Sequence, residues 1–425
     1  MIKVAFYIFF AVFMILVIRR KTDFVFLIPI FNIIADASFT YFEGFSAPTF
    51  LRAITLTIFL YYSYSYYKRQ AIRVPFYWFF IYIGILLLLS SEFSYSLKAS
   101  YQVILSMAMF LGGYTLIDSF QRYEKLLRSL YWIIIVSVIL TALGYIFGVG
   151  QELEYTNDDL YTGQAENVGL LGSGGLYTPA VILGLLPLII KLRLNVLKKW
   201  MLYLFSFVLY VFILLNVRRT AISIPIVGVI GFLFYSKSRS KILRYVIVGG
   251  VCLMITFPLY SDKLIQRFNL RQEQGRFEED FYKTEARYLE NVEMVDAIAK
   301  FDEPMKVLFG VGNNIFAEHV ENGEIVRRMF HSDPAKLFYG VGLFSIFLYL
   351  AIFFRLIHEI LKIPARGILA DLKSASLGLV LILLFISLNG SINLITFRSV
   401  TFLLLGAFLG FAHSIIKTDG RVLNE

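Results

Sequence analysis

Residues 132–147 read Trp132-Ile-Ile-Ile-Val-Ser-Val-Ile-Leu-Thr-Ala-Leu-Gly-Tyr-Ile-Phe147, sixteen positions with no Asp, Glu, Lys, Arg or His among them. A helix rising 1.5 Å per residue needs about twenty such residues to cross a hydrocarbon core of ~30 Å, and the stretch with its flanks comes close to that. Val4 to Ile18, Val74 to Leu89, Met201 to Val217 and Phe344 to Phe354 repeat the pattern. The whole chain is 58% hydrophobic and 16% charged, with a mean hydropathy of +0.71. Soluble domains carry charge on roughly a quarter of their residues. A water-soluble fold could not hide this much apolar surface, so the expected class is all-α, a polytopic integral membrane protein.

Polar breaks between apolar runs place spans near 2–18, 24–38, 51–67, 74–91, 98–118, 129–149, 176–190, 200–217, 220–236, 243–258, 337–355, 372–389 and 395–416, twelve or thirteen in all. The first run follows Met1-Ile-Lys3 without a small-residue cleavage site behind it and is expected to be a retained span. Cys252 is the single cysteine, so neither a disulfide framework nor a thiol metal site is expected.

The basic residues orient these spans. Outside 259–336 there are 29 Lys and Arg, and 23 of them fall in alternate connections and the tail: 19–21, 68–73, 122–128, 191–199, 237–244, 355–373 and 417–421. Positive connections stay in the cytoplasm. The opposite side then receives 39–50, 92–97, 150–175, the turn at 218–219, 390–394 and the long segment 259–336. That segment holds 11 basic and 15 acidic residues, while the rest of the chain supplies the positive excess behind the overall charge of +10. Basicity here reports topology, and no nucleic-acid partner is implied. The organisation is an N-terminal set of spans over 1–258, a large exported loop over 259–336 and a C-terminal set over 337–425. Within the loop, Leu289, Val292, Val295 and Ala299 recur at helical spacing, which predicts an amphipathic helix over the membrane mouth.

Chemistry must come from polar residues that break the apolar pattern. After the cytoplasmic positives are removed, Lys3, Arg52, Lys98, Arg218, Arg219 and Arg398 remain outside the loop. Arg218 and Arg219 lie in Leu215-Asn-Val-Arg-Arg-Thr-Ala221, a hinge too short to leave the interface. Their charge must meet water, lipid phosphate or a bound anion, and flanking arginines do reach headgroups. In the loop, Arg287, Arg327 and Arg328 have the same two readings. Four histidines occur, and His331 begins His-Ser-Asp-Pro-Ala-Lys where the chain re-enters the membrane. A loop histidine can be a solvated side chain or an acid–base group. Metal-ligand pairs, a phosphate loop and a dinucleotide fingerprint are missing from the sequence.

Three features together resemble the O-antigen polymerase and O-antigen ligase superfamily of membrane glycosyltransferases. Arg219-Thr220-Ala221 follows a span at the exported side, Arg287 opens a loop helix in Glu285-Ala-Arg-Tyr288, and His331 with Ser332 is followed by nine residues and Gly342. The pattern departs at Ser345, where the family has Gly, Thr or Tyr. The likeness is motif-level over about 218–345 and rests on hydropathy elsewhere. It implies a GT-C-type enzyme of the bacterial inner membrane, with a large helical periplasmic loop and the active site facing the periplasm. Such an enzyme uses undecaprenyl-diphosphate-linked glycan as donor and acceptor, works with inversion and without metal or cofactor, and has membrane lipids and a chain-length regulator as partners. Arg219 and Arg287, assisted by Arg218, would bind the diphosphate; His331, Arg219 and Arg287 would be catalytic. Guanidinium groups bind phosphate oxygens in pairs, and a neutral imidazole can take the acceptor hydroxyl's proton. The expected activity in lipopolysaccharide biosynthesis is polymerisation of lipid-linked repeat units. Transfer of a finished glycan to lipid A core, as a ligase, and carriage of polysaccharide by a transporter or flippase stand as alternatives, because one donor site serves both enzymes and the acceptor groove is not legible.

Overall fold

The structure is a computed structural model and describes residues 2–20, 26–38, 47–64, 71–90, 93–148, 152–153, 166–167, 170–171, 175–191, 199–215, 219–236, 239–262, 265, 269, 286–310, 320–321, 324–325, 332–389, 392 and 395–422. Among them the chain is helical apart from two antiparallel pairs of two-residue strands, Glu152–Leu153 with Glu166–Asn167 and Val320–Glu321 with Glu324–Ile325. The helices are α1 Ile2–Arg20, α2 Ile28–Ser38, α3 Ala47–Tyr64, α4 Val74–Leu89, α5 Phe93–Leu116, α6 Phe120–Phe147, α7 Tyr177–Gly184, α8 Leu186–Lys191, α9 Lys199–Leu215, α10 Arg219–Leu233 and α11 Arg239–Ile255. They continue with α12 Ala286–Lys300, α13 Pro304–Phe309, α14 Asp333–Val341, α15 Leu343–Lys362, α16 Gly367–Asn389 and α17 Ile395–Val422. Phe120–Phe147, Leu343–Lys362, Gly367–Leu388 and Ile395–Thr418 are long and apolar enough to cross a membrane. Phe6–Leu16, Ile28–Ala37, Val74–Leu89, Lys199–Leu215 and Thr220–Leu233 are shorter apolar helices.

Each expected span coincides with helical residues, and the differences in bounds have local causes. The run 176–190 is split at Leu185, whose amide turns back to the Ile182 oxygen at 3.0 Å. Pro187, lacking an amide hydrogen, cannot continue the ladder there. The run expected at 337–355 is also two pieces. α14 ends at Gly342, whose φ of +79° favours glycine, and a side chain there would overlap the Leu308 carbonyl beside α13. Several basic clusters expected in connections stand on helices instead. Arg122 meets Asp118 at 3.1 Å and Arg128 meets Glu124 at 2.7 Å near the start of α6. Lys373, in the second turn of α16, caps α15 by donating to the Leu361 and Ile363 oxygens at 2.8 and 2.9 Å.

The core is centred on α17, which packs most extensively on α5. Gly406 and Gly410 are spaced one helical turn apart, and a Cβ on either would overlap the carbonyl oxygen of Phe110 or Tyr114 respectively. The two backbones therefore touch, the arrangement small residues permit between apolar helices. Gly249, in the middle of α11, is the opposite case, with nothing within 4 Å of a would-be Cβ. Gly406→Val is expected to lower stability by roughly 3 kcal/mol or more through forced separation of α5 and α17. Gly249→Ala should instead raise it by about 0.5–1 kcal/mol, since alanine is the better helix former. Thermal unfolding of the two variants in one detergent checks the pair of signs.

Candidate functional site

The His331 motif ends in one of the most tightly held parts of the molecule. α14 begins on Asp333-Pro334, with Ser332 as its N-cap accepting the Ala335 amide at 3.3 Å. Proline suits this first turn because its missing amide hydrogen would have had no partner there. Asp333 is fully buried, and its carboxylate takes Arg398 from the first turn of α17, with Nη2 at 2.9 Å from Oδ1 and 2.8 Å from Oδ2. Tyr349 of α15 donates its hydroxyl to Asp333 Oδ2 at 2.9 Å and accepts from Arg398 Nη1 at 3.3 Å. Ser387 of α16 completes the group, 2.8 Å from the Tyr349 hydroxyl and donating to the Leu383 oxygen. One carboxylate thus ties four helices together at the point where the motif enters the bundle.

The loop helix is tied to the same place. Ser332 Oγ donates to Asn291 Oδ1 of α12 at 3.5 Å, and Arg287 is four residues before Asn291 in that helix. The helix expected from the apolar spacing is present. Val292 and Val295 are 44% and 61% exposed and Ala299 is exposed too, so this stripe faces away from the bundle; the Leu289 side chain lies outside the described residues. Asn291, Met294, Ala297 and Ile298 form the more covered side, and the contact with α14 is made through a polar bond, to which hydropathy is blind. The last turn of α12 is held by Lys300 Nζ on Asp296 at 2.6 Å, and that hydrogen bond raises the lysine's pKa.

Arg219 is the first residue of α10. α10 and α16 run antiparallel, since Gly231 meets Gly378 while Lys373 lies over the Tyr235 ring at 4.3 Å. From that glycine contact Arg219 is about 18 Å back along α10, and Ser387 is about 13 Å on along α16, in the same direction. The backbone of Arg219 therefore reaches the end of the bundle that holds Ser387, Tyr349 and Asp333. A cationic residue at a helix N-terminus adds its charge to the positive end of the helix dipole, a combination suited to an anion.

The starts of α10, α12 and α14 accordingly share one end of the molecule. Arg218 and His331 lie outside the described residues; Ser332 stands next to His331 in the chain. Asp333, Tyr349 and Ser387 are the residues that sequence reasoning missed, and Arg398 was singled out there as a residual cation without its partner. Arg398 had a signal, an arginine four residues into an apolar helix, and an ionisable residue so placed calls for a partner of opposite charge. A scan of the chain against protein-family models found no match, and a search of curated proteins found none either.

Arg398→Leu should destabilise the protein by about 3–5 kcal/mol, because it strands a buried carboxylate. The double variant Asp333→Leu with Arg398→Leu should recover most of that loss. A double-mutant cycle by chemical or thermal unfolding measures the difference, and a loss in the double variant equal to the sum of the two single losses would show that the pair does not act as one unit.

Proposed function

We propose that this protein is a membrane glycosyltransferase that polymerises surface polysaccharide, joining undecaprenyl-diphosphate-linked repeat units at the exported face of the bacterial inner membrane. The observation that carries the reading is the anchoring of the His331 motif: Asp333 is locked to α15 and α17, and Ser332 to the helix that bears Arg287. An acid–base group and a phosphate-binding cation need fixed relative positions to act together, and buried polar bonds provide them.

In this reading Arg219 and Arg287, with Arg218 beside them, hold the donor's diphosphate by paired N–H to oxygen bonds. The acceptor's hydroxyl oxygen attacks the anomeric carbon from the face opposite the diphosphate. The carbon–oxygen bond to the diphosphate breaks with its electron pair leaving on phosphate oxygen, so the configuration inverts. His331, neutral at the start, takes the hydroxyl proton, and the arginines stabilise the charge arriving on the diphosphate. No group beyond these side chains enters the scheme. The state of Asp36 favours chemistry over carriage. It is paired with Arg52 and so lacks the free intramembrane charge that ion-coupled carriers use.

The test is the length distribution of surface polysaccharide on a gel, from a deletion strain complemented with wild type, His331→Ala, Arg287→Ala or Arg219→Ala at matched expression. A single repeat unit on lipid A core with no ladder is expected from each variant, a fall in rate of about a hundredfold or more. Full-length chains left on the lipid carrier, with none on core, would assign the ligase reaction. A normal ladder from all three variants would overturn the site.

A further inference from the structure

The end of the bundle away from Arg219 carries an open cavity. Phe234, Tyr235 and Ser236 follow the last turn of α10, Arg239 and Ser240 begin α11, and Ala365 lies between α15 and α16; together they enclose about 580 Å³. Ligand pockets commonly fall between about 300 and 1,000 Å³. Ser236 is buried while Arg239 and Ser240 are exposed, so the cavity deepens from the start of α11 towards Ser236. Its lining is cationic, with no carboxylate in it. Arg239 Nη2 donates to the Phe234 carbonyl oxygen, which closes the 234–239 turn and holds the guanidinium at the mouth. That bond uses one of the five N–H donors a guanidinium carries, and among the described residues Arg239 is in no ion pair. Lys373 Nζ, over the Tyr235 ring at 4.3 Å, adds a second positive charge to the same wall.

The helix that starts at this mouth is apolar and uncovered. Leu243, Val246 and Gly250 follow Arg239 at four, seven and eleven residues, which puts all four on one face of α11. Leu243 and Val246 are 52% and 48% exposed, and nothing lies within 4 Å of a Cβ placed on Gly250. Glycine inside a helix is destabilising, and here no described protein group occupies the space it leaves. Ile247, Val248, Val251 and Met254 are exposed around the rest of the helix, so α11 meets hydrocarbon over most of its circumference.

A ligand suited to both parts has an anion at one end and hydrocarbon at the other. A phosphodiester accepts paired N–H bonds from a guanidinium and can take a further one from the Ser240 hydroxyl. The glycerol and one acyl chain behind it would continue along the apolar face, with the chain seated over Gly250. A headgroup amine would be repelled by Arg239 and Lys373. A soluble phosphate compound could fill the cavity but would leave the apolar face unused. The basic connections 237–244 and 355–373 flank the opening, and a positive surface of this kind draws anionic headgroups from a Debye length away.

We propose that the cavity at Arg239 is a binding site for the phosphodiester of an anionic phospholipid, with an acyl chain laid along Leu243, Val246 and Gly250. The site lies at the opposite end of the bundle from Asp333 and is independent of the glycosyltransferase reading.

The experiment uses the full chain in detergent, freed of lipid and titrated with dioleoyl phosphatidylglycerol, dioleoyl phosphatidylcholine or glycerol phosphate. Binding is read from the rise in unfolding temperature, since a ligand that binds the folded state stabilises it, and retained lipid is counted by native mass spectrometry. Three variants separate the site from its surroundings. Arg239→Gln removes the charge, Ala365→Trp fills the cavity and leaves every charge, and Arg244→Gln removes a cation of α11 that does not line the cavity. Phosphatidylglycerol should bind more tightly than the other two probes, with affinity weakened about tenfold or more in Arg239→Gln and Ala365→Trp and unchanged in Arg244→Gln. Equal weakening by Arg239→Gln and Arg244→Gln would overturn the site in favour of general attraction to a basic surface. Glycerol phosphate binding as tightly as the lipid would overturn it in favour of a soluble ligand. Should Arg239→Gln fail to fold, Ala365→Trp decides, and wild-type affinity in that variant would leave the cavity without a lipid.

Discussion

A carboxylate and a guanidinium taken out of water each lose several kcal/mol of hydration, which their mutual attraction returns only when the geometry is good and the remaining polar atoms are bonded. Asp333 and Arg398 meet most of those terms. Arg398 Nη2 lies against both carboxylate oxygens, Tyr349 bonds to both members and Ser387 lies beside the Tyr349 hydroxyl, while Arg398 Nε is left without a partner among the described residues. Because the four residues come from α14, α15, α16 and α17, none of these helices can shift without breaking a bond that has no water to replace it. The end of the bundle that carries the His331 motif is rigid for that reason, whatever the apolar contacts below it contribute.

Apolar contacts do the complementary work. Between helices surrounded by lipid, burial of hydrocarbon supplies little net drive, and close packing of small residues matters more. Gly406 and Gly410 let α17 lie directly on α5, and this fixes the height and rotation of α17 from the middle. Its first turn then emerges in a defined place, with Arg398 directed to one set of partners and Ser399 to another. A helix held by glycine contacts along its length and by polar bonds at its tip is fixed at both places, and the positions of Asp333 and Asn32 follow from it.

Hydropathy is a local property, so the helices were legible in the chain. The break at Leu185 was not, because 176–190 is apolar throughout and Pro187 interrupts the backbone ladder without interrupting the hydropathy. Nor could pairing be read. Asp333 and Arg398 are 65 residues apart, and nothing in either local sequence names the other. The docking side of α12 was hidden for a related reason: the apolar spacing of Val292 and Val295 marks an amphipathic helix, whereas Asn291 makes the contact with α14. Periodicity reports which face could be buried in hydrocarbon, and it is silent where a helix docks through an amide and a hydroxyl. The motif residues themselves divide in the same way. Arg219 was singled out by its place in a short hinge and Arg287 by the resemblance, while the bonds made by Asp333 and Tyr349 were visible only after folding.

Charged residues in this chain therefore fall into two physical classes. On helix ends such as the start of α6, Arg122 with Asp118 and Arg128 with Glu124 are one-turn neighbours on exposed surface, with side chains 29–60% and 32–49% accessible. Pairs of that kind contribute little to stability. At the other end, Asp36 with Arg52 and Asp333 with Arg398 are buried pairs between helices, joined through adjacent residues of α17. Buried ion pairs add little stability over apolar residues of the same size. They do provide fixed dipoles in a medium of low dielectric, where a positioned charge acts strongly on whatever binds beside it. Because Arg398 and Ser399 are neighbours on α17, both pairs act at one end of the bundle, and a shift of that helix tip would disturb the two together.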